Sequence, residues 1–282
     1  MRSAVRFCVP ALGDPSGFVP GGFFISVQRS FGLKSSGWKN VRWTFFGHVF
    51  EHHVRECPAE GTEALRMNTG DIMNKKKPLN TVIFDIGNVL IRFTSLDFIR
   101  EKYGDDMGLR IANALYGEGR WPELDRGVMT IEEILQSFYD ADPEIPRDYI
   151  DWSFYNISEA INRCEYAIPW IREIKKMGYR VLFLSNYSRH VMAAKPEALD
   201  FLPVMDGGIF SCDVKLIKPD RAIYRLIEEK YSLDPEECLF IDDRQDNCEG
   251  AASIGMNYYC FSDYDTDRPE IMKILEEGRM TS

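Results

Sequence analysis

Residues 80–90 read NTVIFDIGNVL, and the fold turns on how that run is taken. Val82, Ile83 and Phe84 form an apolar stretch too short for a helix, and Gly87 closes it. Such a stretch predicts a central strand buried on both faces, as in a parallel sheet. Asp85 then stands just past the apolar run, at the carboxyl end of the strand.

Downstream, helix and strand patterns alternate. IPWIREIKKMG (168–178) reads as a helix with Pro169 near its first turn and Gly178 at its C-cap. YRVLFLSN (179–186) reads as the next strand and GGIFSCD (207–213) as another. KPDRAIYRLIEEKYS (218–232) follows as a helix, and ECLFIDDRQDN (237–247) as a strand running into an acidic loop. NCEGAASIG (247–255) is a short helix, and MNYYCFSD (256–263) is the last clear strand. Repeated units of this kind predict an α/β fold: a Rossmann-like three-layer core with a mostly parallel sheet. Between the first strand and the second, LDFIREKYG, MGLRIANALYG, TIEEILQSFYD and YIDWSFYNISEAINRC read as helices, with Asp125, Arg126 and Gly127 as a turn between two of them. Residues 93–165 are therefore an inserted helical cap, and residues 78–92 and 166–282 form the core.

Residues 1–72 read differently. They hold eight of the eighteen Phe, nine of the twenty-one Gly and three of the four His, and basic residues exceed acidic ones. No helical or strand period persists through SSGWKNVRWTFFGHVFEHHV (35–54). Met73, a short basic run and then the buried strand look like a true beginning. The expectation is an atypical extension, poorly ordered or the product of a misassigned start. His48, His52 and His53 have a spacing too weak to predict a metal site.

Composition narrows the function. The formal charge of −10 argues against a general nucleic-acid binder. No apolar segment is long enough to span a bilayer. Seven scattered cysteines without a CxxC pair predict free thiols in a cytoplasmic protein. No nucleic-acid and no membrane partner is expected, and the chain is expected as a monomer or homodimer.

Parallel sheets gather function at the carboxyl ends of their strands. There stand Asp85, then Ser185 and Asn186, then Lys218 ahead of its helix, then Asp242 and Asp243. Carboxylates so grouped repel one another, and a Mg²⁺ ion relieves that through carboxylate and carbonyl oxygens. An anionic substrate completes the balance, and phosphate fits. Asp85 can attack phosphorus to give an aspartyl-phosphate. Ser185 can hold phosphoryl oxygens, with Asn186 beside it as a further substrate-binding candidate, and Lys218 can neutralise both the nucleophile and the transferring group.

On these four motifs, FDIGNVL, LSN (184–186), Lys218 in KPD and FIDD (240–243), the chain resembles the haloacid dehalogenase-like hydrolase superfamily. The resemblance implies Asp85 as nucleophile, Ser185 as phosphate-binding hydroxyl, Lys218 as the neutralising lysine, and a metal held by Asp85, the Gly87 carbonyl and Asp243, with Asp242 in or near its shell. DIGNVL, LDRG (124–127), IKPDRAIY and FIDDRQDNCEGA are similar to the bacterial α-D-glucose-1-phosphate phosphatase subgroup and to the N-terminal phosphatase domain of soluble epoxide hydrolase. The implied partner is a small phosphorylated metabolite, and the implied activity is Mg²⁺-dependent hydrolysis of a small phosphate monoester, such as the sugar phosphate glucose 1-phosphate.

One departure stands out. Most phosphatases of the family carry a second aspartate two residues after the nucleophile, as general acid and base. Here that residue is Gly87. Such a group is worth about 10²–10⁴-fold in rate. A sugar 1-phosphate leans less on it, since the departing anomeric oxygen is more acidic. Water, Asp125 or Glu118 are the candidates to supply the proton. Dehalogenases also lack the second aspartate, but the paired Asp242 and Asp243 weigh against that alternative. A binder of phosphorylated ligands without turnover is the other alternative, and the intact Asp85 weighs against it. In the cap, Trp121, Arg120 and Tyr116 are candidates to contact a sugar, with packing of the cap core as the competing role for the two aromatics. Arg189 and His190 read as a solvated helix start, and Asn247 as support for the metal loop.

Overall fold

Thr81–Phe84 forms a strand buried at every position, and it sits in the middle of the sheet. In this computed structural model residues 77–117 and 119–279 are described in full, and residues 38–45 and 48–55 as backbone strands. The chain divides into Met1–Leu65 and Arg66–Ser282.

In the first unit, strands β1 (Trp38–Phe45) and β2 (His48–Arg55) pair antiparallel, with Trp38 opposite Arg55 and Phe45 opposite His48. The sequence reading found no strand period there. Val41 to Phe45 alternate apolar with polar, but the alternation lasts only five residues and HVFEHHVR does not continue it, so no period persists through the whole stretch. His48, His52 and His53 lie in β2, and their side chains lie outside the described residues.

The second unit is built on β3 (Thr81–Phe84), β6 (Arg180–Ser185), β7 (Gly208–Phe210), β8 (Cys238–Asp242) and β9 (Asn257–Cys260). A separate ribbon pairs β4 (Ile91–Phe93) with β5 (Ile161–Arg163). The sheet order is β7-β6-β3-β8-β9, and every pairing is parallel. The chain starts in the centre, fills one side, then crosses to fill the other, which makes the edge beside β3 a switch point. Side chains alternate between faces along each strand. Val82, Phe84, Val181, Phe183, Leu239 and Ile241 enter one core, with Trp170, Ile174 and Leu275. Ile83, Leu182, Leu184 and Phe240 enter the other, with Ile223, Tyr224 and Ile227. Two apolar layers on one sheet give the three-layer α/β core predicted above.

The cap comprises α1 (Ser95–Tyr103), α2 (Asp105–Tyr116), α3 (Arg120–Arg126), α4 (Ile131–Ala141) and α5 (Arg147–Tyr155). Its own core includes Ile99, Ile111, Leu115, Leu124, Ile134, Phe138 and Phe154. A capping box starts α4: the Glu133 amide donates to Thr130 Oγ1 at 3.2 Å, and the Thr130 amide to the Glu133 carboxylate at 2.8 Å.

Three local expectations change. Asp125 and Arg126 are not a turn but the last turn of α3, which ends at Gly127 with φ of 67°. The final predicted cap helix stops at Tyr155, because Ile161–Arg163 pairs with Ile91–Phe93 instead. Ser211–Val214 is a short helix, not strand. The remaining helices are α6 (Ala167–Lys176), α7 (Arg189–Ala194), α8 (Ser211–Val214), α9 (Arg221–Tyr231), α10 (Gln245–Ala252) and α11 (Tyr264–Arg279).

Candidate active site

Strand register assembles the site. Phe84 is the register partner of Ile241, and the Asp85 amide donates to the Ile241 carbonyl at 2.8 Å. Asp85, just past the end of β3, and Asp242, the last residue of β8, therefore emerge side by side. Ser185 ends β6 on the other flank of β3.

Lys218 joins these ends. Its ammonium donates to Asp85 Oδ1 at 2.7 Å and to Asp242 Oδ2 at 2.6 Å, with all three side chains buried. Asn186 fixes the lysine from behind. Its amide donates to the Lys218 carbonyl at 2.9 Å, and its oxygen accepts from the Lys218 amide at 2.8 Å. Both polar ends of Asn186 are thus engaged with backbone, so it positions Lys218. The Lys218–Pro219 peptide is cis.

Asp242 is held on all sides. Asn247 Nδ2 donates to Oδ1 at 2.9 Å and to Oδ2 at 3.2 Å, and the Arg244 amide donates to Oδ1 at 2.9 Å. This is the supporting role expected of Asn247. Asp243 is more open and accepts from Asn88 Nδ2 at 3.1 Å. Asn88 also accepts from the Phe93 amide at 3.3 Å, in a left-handed conformation with φ of 53°. The sequence reading missed Asn88. Its only signal was an Asn after Gly in a tight turn, where Asn tolerates that geometry. Ser185 Oγ is buried and has no hydrogen-bond partner among the described residues. An unpaired buried hydroxyl is costly unless a ligand completes it.

The electrostatics are strained toward a cation. Burial, against the pull of Lys218 and with the charges of Asp242 and Asp243, lifts Asp85 to about 7. Asp243 is raised by burial and by Asp242. Burial works against the Lys218 charge, but Asp242 and Asp85 outweigh it and the pKa is raised. Carboxylate oxygens of Asp85, Asp242 and Asp243 lie within 4.8 Å of one another. Three carboxylates around one ammonium leave an excess of negative charge on hard oxygen donors, and a divalent cation fits that set.

At Gly87 a Cβ would meet the Phe93 ring at 3.4 Å and Asp85 Oδ2 at 3.7 Å. Both are ordinary van der Waals distances, so the Phe93 ring borders this position. Above the edge, the cap delivers Asp125. Ser211 Oγ donates to the Asp125 carbonyl at 2.6 Å, and Lys215 donates to the Gly127 carbonyl, so core side chains cap the end of α3. The Asp125 carboxyl is buried and accepts from the Ser188 amide. Burial and the charge of Asp85 lift it to about 8, against the pull of Lys218.

The three sugar-contact candidates, Trp121, Arg120 and Tyr116, are not among these clustered side chains. The Trp121 ring packs with Tyr116 at 4.7 Å, Phe138 at 6.4 Å and Phe154 at 6.5 Å. Arg120 donates to the carbonyls of Ala114 at 2.8 Å and Asn113 at 2.9 Å, at the end of α2. Arg189 is exposed and pairs with Asp213. His190 is not solvated as expected: it stacks on Phe154 of the cap at 3.9 Å, its Nε2 lies 2.9 Å from the Phe154 carbonyl, and burial lowers its pKa. Glu118 lies outside the described residues.

The five described cysteines are free thiols, and no helix among the described residues is long and apolar enough to cross a membrane.

Known proteins are similar to this chain in sequence and in fold. Flavin mononucleotide hydrolase 1 of Arabidopsis thaliana is 22% identical over 217 residues, covering 74% of this chain and 82% of that protein. A predicted HAD-like hydrolase structure from Porphyromonas gingivalis superposes with a TM-score of 0.55 at 23% identity, over 70% of this chain and 98% of its own. A HAD-family enzyme of Bacteroides thetaiotaomicron, crystallised as a variant with magnesium and inorganic phosphate, gives 0.51 at 19% identity, over 65% and 94%. The model of the haloacid dehalogenase-like hydrolases matches residues 79–255, from the first sheet strand to the helix after the acidic loop. That span holds the aspartate, the serine, the lysine and the acidic pair whose geometry is given above, and the chain belongs to this family of hydrolases.

Proposed function

We propose that the chain is a Mg²⁺-dependent phosphatase acting on a small phosphate monoester, and that the monoester is a sugar phosphate of the glucose 1-phosphate kind. One observation carries the reading: Asp85 is locked to Lys218 beside the buried, partnerless Ser185 hydroxyl. That combination offers a nucleophile, a fixed positive charge and a hydrogen-bond donor with no partner among the described residues. A relative named for hydrolysing flavin mononucleotide, itself a phosphate monoester, supports the same class.

Asp85, Asp243 and the Gly87 carbonyl would hold the metal, with Asp242 behind them anchoring Lys218. Bound there, Mg²⁺ supplies charge neutralisation between the carboxylates and the phosphate. Ser185 and Lys218 orient the phosphoryl oxygens so that Asp85 attacks in line and the ester oxygen departs opposite. Water then releases phosphate from the aspartyl-phosphate and restores Asp85. Free thiols suit a reducing, cytoplasmic setting.

The experiment is phosphate release from a panel of sugar phosphates, with and without Mg²⁺, beside Asp85→Asn. Metal-dependent release that disappears in the variant is the expected result. Turnover of haloacids without metal, or no turnover of any ester by the folded protein, would sink the reading. Running the panel on chains begun at Met1 and at Met73 asks whether residues 1–72 are needed, and equal rates are expected.

A further inference from the structure

The phosphatase reading leaves a gap at Gly87, where the Phe93 ring lies against the space a second acid would enter. The missing function needs a proton carrier near the departing oxygen, outside the metal-binding carboxylates. Asp125 meets both conditions. It is buried within range of the charges of Asp85 and Lys218, yet it is not one of the carboxylates clustered within 4.8 Å. Its placement is also built. The Ser211 hydroxyl holds its carbonyl, the Ser188 amide holds its carboxyl, and Lys215 holds the helix end one turn on. The Ser211 hydroxyl in turn accepts from the Tyr187 amide at 2.9 Å. The groups facing Asp125 are Asp85 and Lys218 from the sheet edge, and Tyr187, whose buried hydroxyl has no partner.

Resting on the phosphatase reading, we infer that Asp125 is the general acid and base of this enzyme, carried to the sheet edge by the cap in place of the acid absent at Gly87. In the first step the Asp85 oxygen–phosphorus bond forms and the phosphorus–ester oxygen bond breaks. The Asp125 proton passes to that oxygen, which leaves as an alcohol. In the second step the Asp125 carboxylate takes a proton from water as its oxygen attacks phosphorus. The bond to Asp85 breaks, phosphate departs, and both aspartates return to their starting forms. A cap that carries the acid also couples closure to chemistry, since the proton arrives only with α3 in place.

The test is leaving-group dependence. The parameter kcat/KM reads the steps through departure of the alcohol, so it isolates the first proton transfer. Asp125→Asn should lower kcat/KM for an alkyl phosphate by about 10²–10⁴-fold. For p-nitrophenyl phosphate, whose leaving group needs no proton, the loss should stay under about tenfold. A burst of p-nitrophenolate should precede slow turnover, because the base is gone as well. Asp125→Glu keeps an acid and should hold the ratio of the two substrates near that of the wild type. Equal losses on both substrates, or no loss on either, would overturn the inference, as would a Glu variant that behaves like Asn. If the wild-type chain hydrolyses neither ester with Mg²⁺, the phosphatase reading fails first and takes this inference with it.

Discussion

At the sheet edge, charged groups hold one another: Lys218 bridges Asp85 and Asp242, and Asn247 and the Arg244 amide complete Asp242. In the cap, Asp125 sits at the end of a helix whose other buried residue is Leu124, and its carboxyl takes a backbone amide from the core. The first arrangement is a network that fixes geometry whether or not a ligand is present. The second is one polar group delivered by an apolar body, and its position depends on how that body is docked.

The sharpest way to break the comparison is Asp85→Asn. It keeps the shape of the edge and should abolish turnover, by more than about 10³-fold, as read by phosphate release. Next come two variants of similar cost in stability and opposite reach. Lys218→Met strips the ammonium from two buried carboxylates and should destabilise the fold by about 3–5 kcal/mol. Phe138→Ala opens a hole in the cap core and should cost about 3–5 kcal/mol as well. Hydrogen exchange separates them: the first should loosen β3 and β8, the second α2 to α5 with the sheet still protected. If both loosen the whole chain equally, cap and core are one cooperative unit and the comparison fails. Asn88→Ala removes the amide that aims Asp243, and should weaken apparent Mg²⁺ affinity by about 10–100-fold in a metal titration of activity.

The smallest effect sharpens the electrostatic side. Asp267 is another buried acid, at the start of α11. Burial pushes its pKa up, but the amides of Asp263 and Ser262 and the Ser262 hydroxyl outweigh it, and the pKa is lowered. A carboxyl whose native pKa lies below its unfolded value of about 3.9 adds stability above that value. The contribution is lost as pH falls through the native pKa. Asp267→Asn should therefore be less stable than the wild type at neutral pH, and the gap should close in acid unfolding curves. A gap independent of pH would mean the carboxylate charge contributes nothing. Asp85 and Asp125 shift the other way because burial and neighbouring carboxylate charge outweigh the donors they have.

Much of this was legible before any coordinates. Parallel strands put their carboxyl ends along one edge, so polar residues after apolar runs nominate themselves, and Asp85, Ser185, Lys218 and the acidic pair did. What escaped depends on tertiary context. Asn88 matters because of a left-handed turn that aims its amide across to Asp243. The ribbon of β4 and β5 is three residues per strand, below the length at which a period of two can be counted. Helix α11 went unseen because Pro269 sits inside it and reads as a break. Asp125 looked like part of a turn because Gly127, the residue that ends α3, is also what turns are made of.

That small ribbon has an evolutionary side. Phe93 and Ile161 are register partners, so residues 94–160 leave the core and return to it at a single point. An insertion with such a narrow neck is a cassette: its sequence can drift, lengthen or be replaced without disturbing how the sheet is wired. Lineages that keep the edge and exchange the cassette inherit a working phosphate site and acquire a new substrate. In this chain the exchange would also remove the acid, so cassette and catalysis have become inheritable only together.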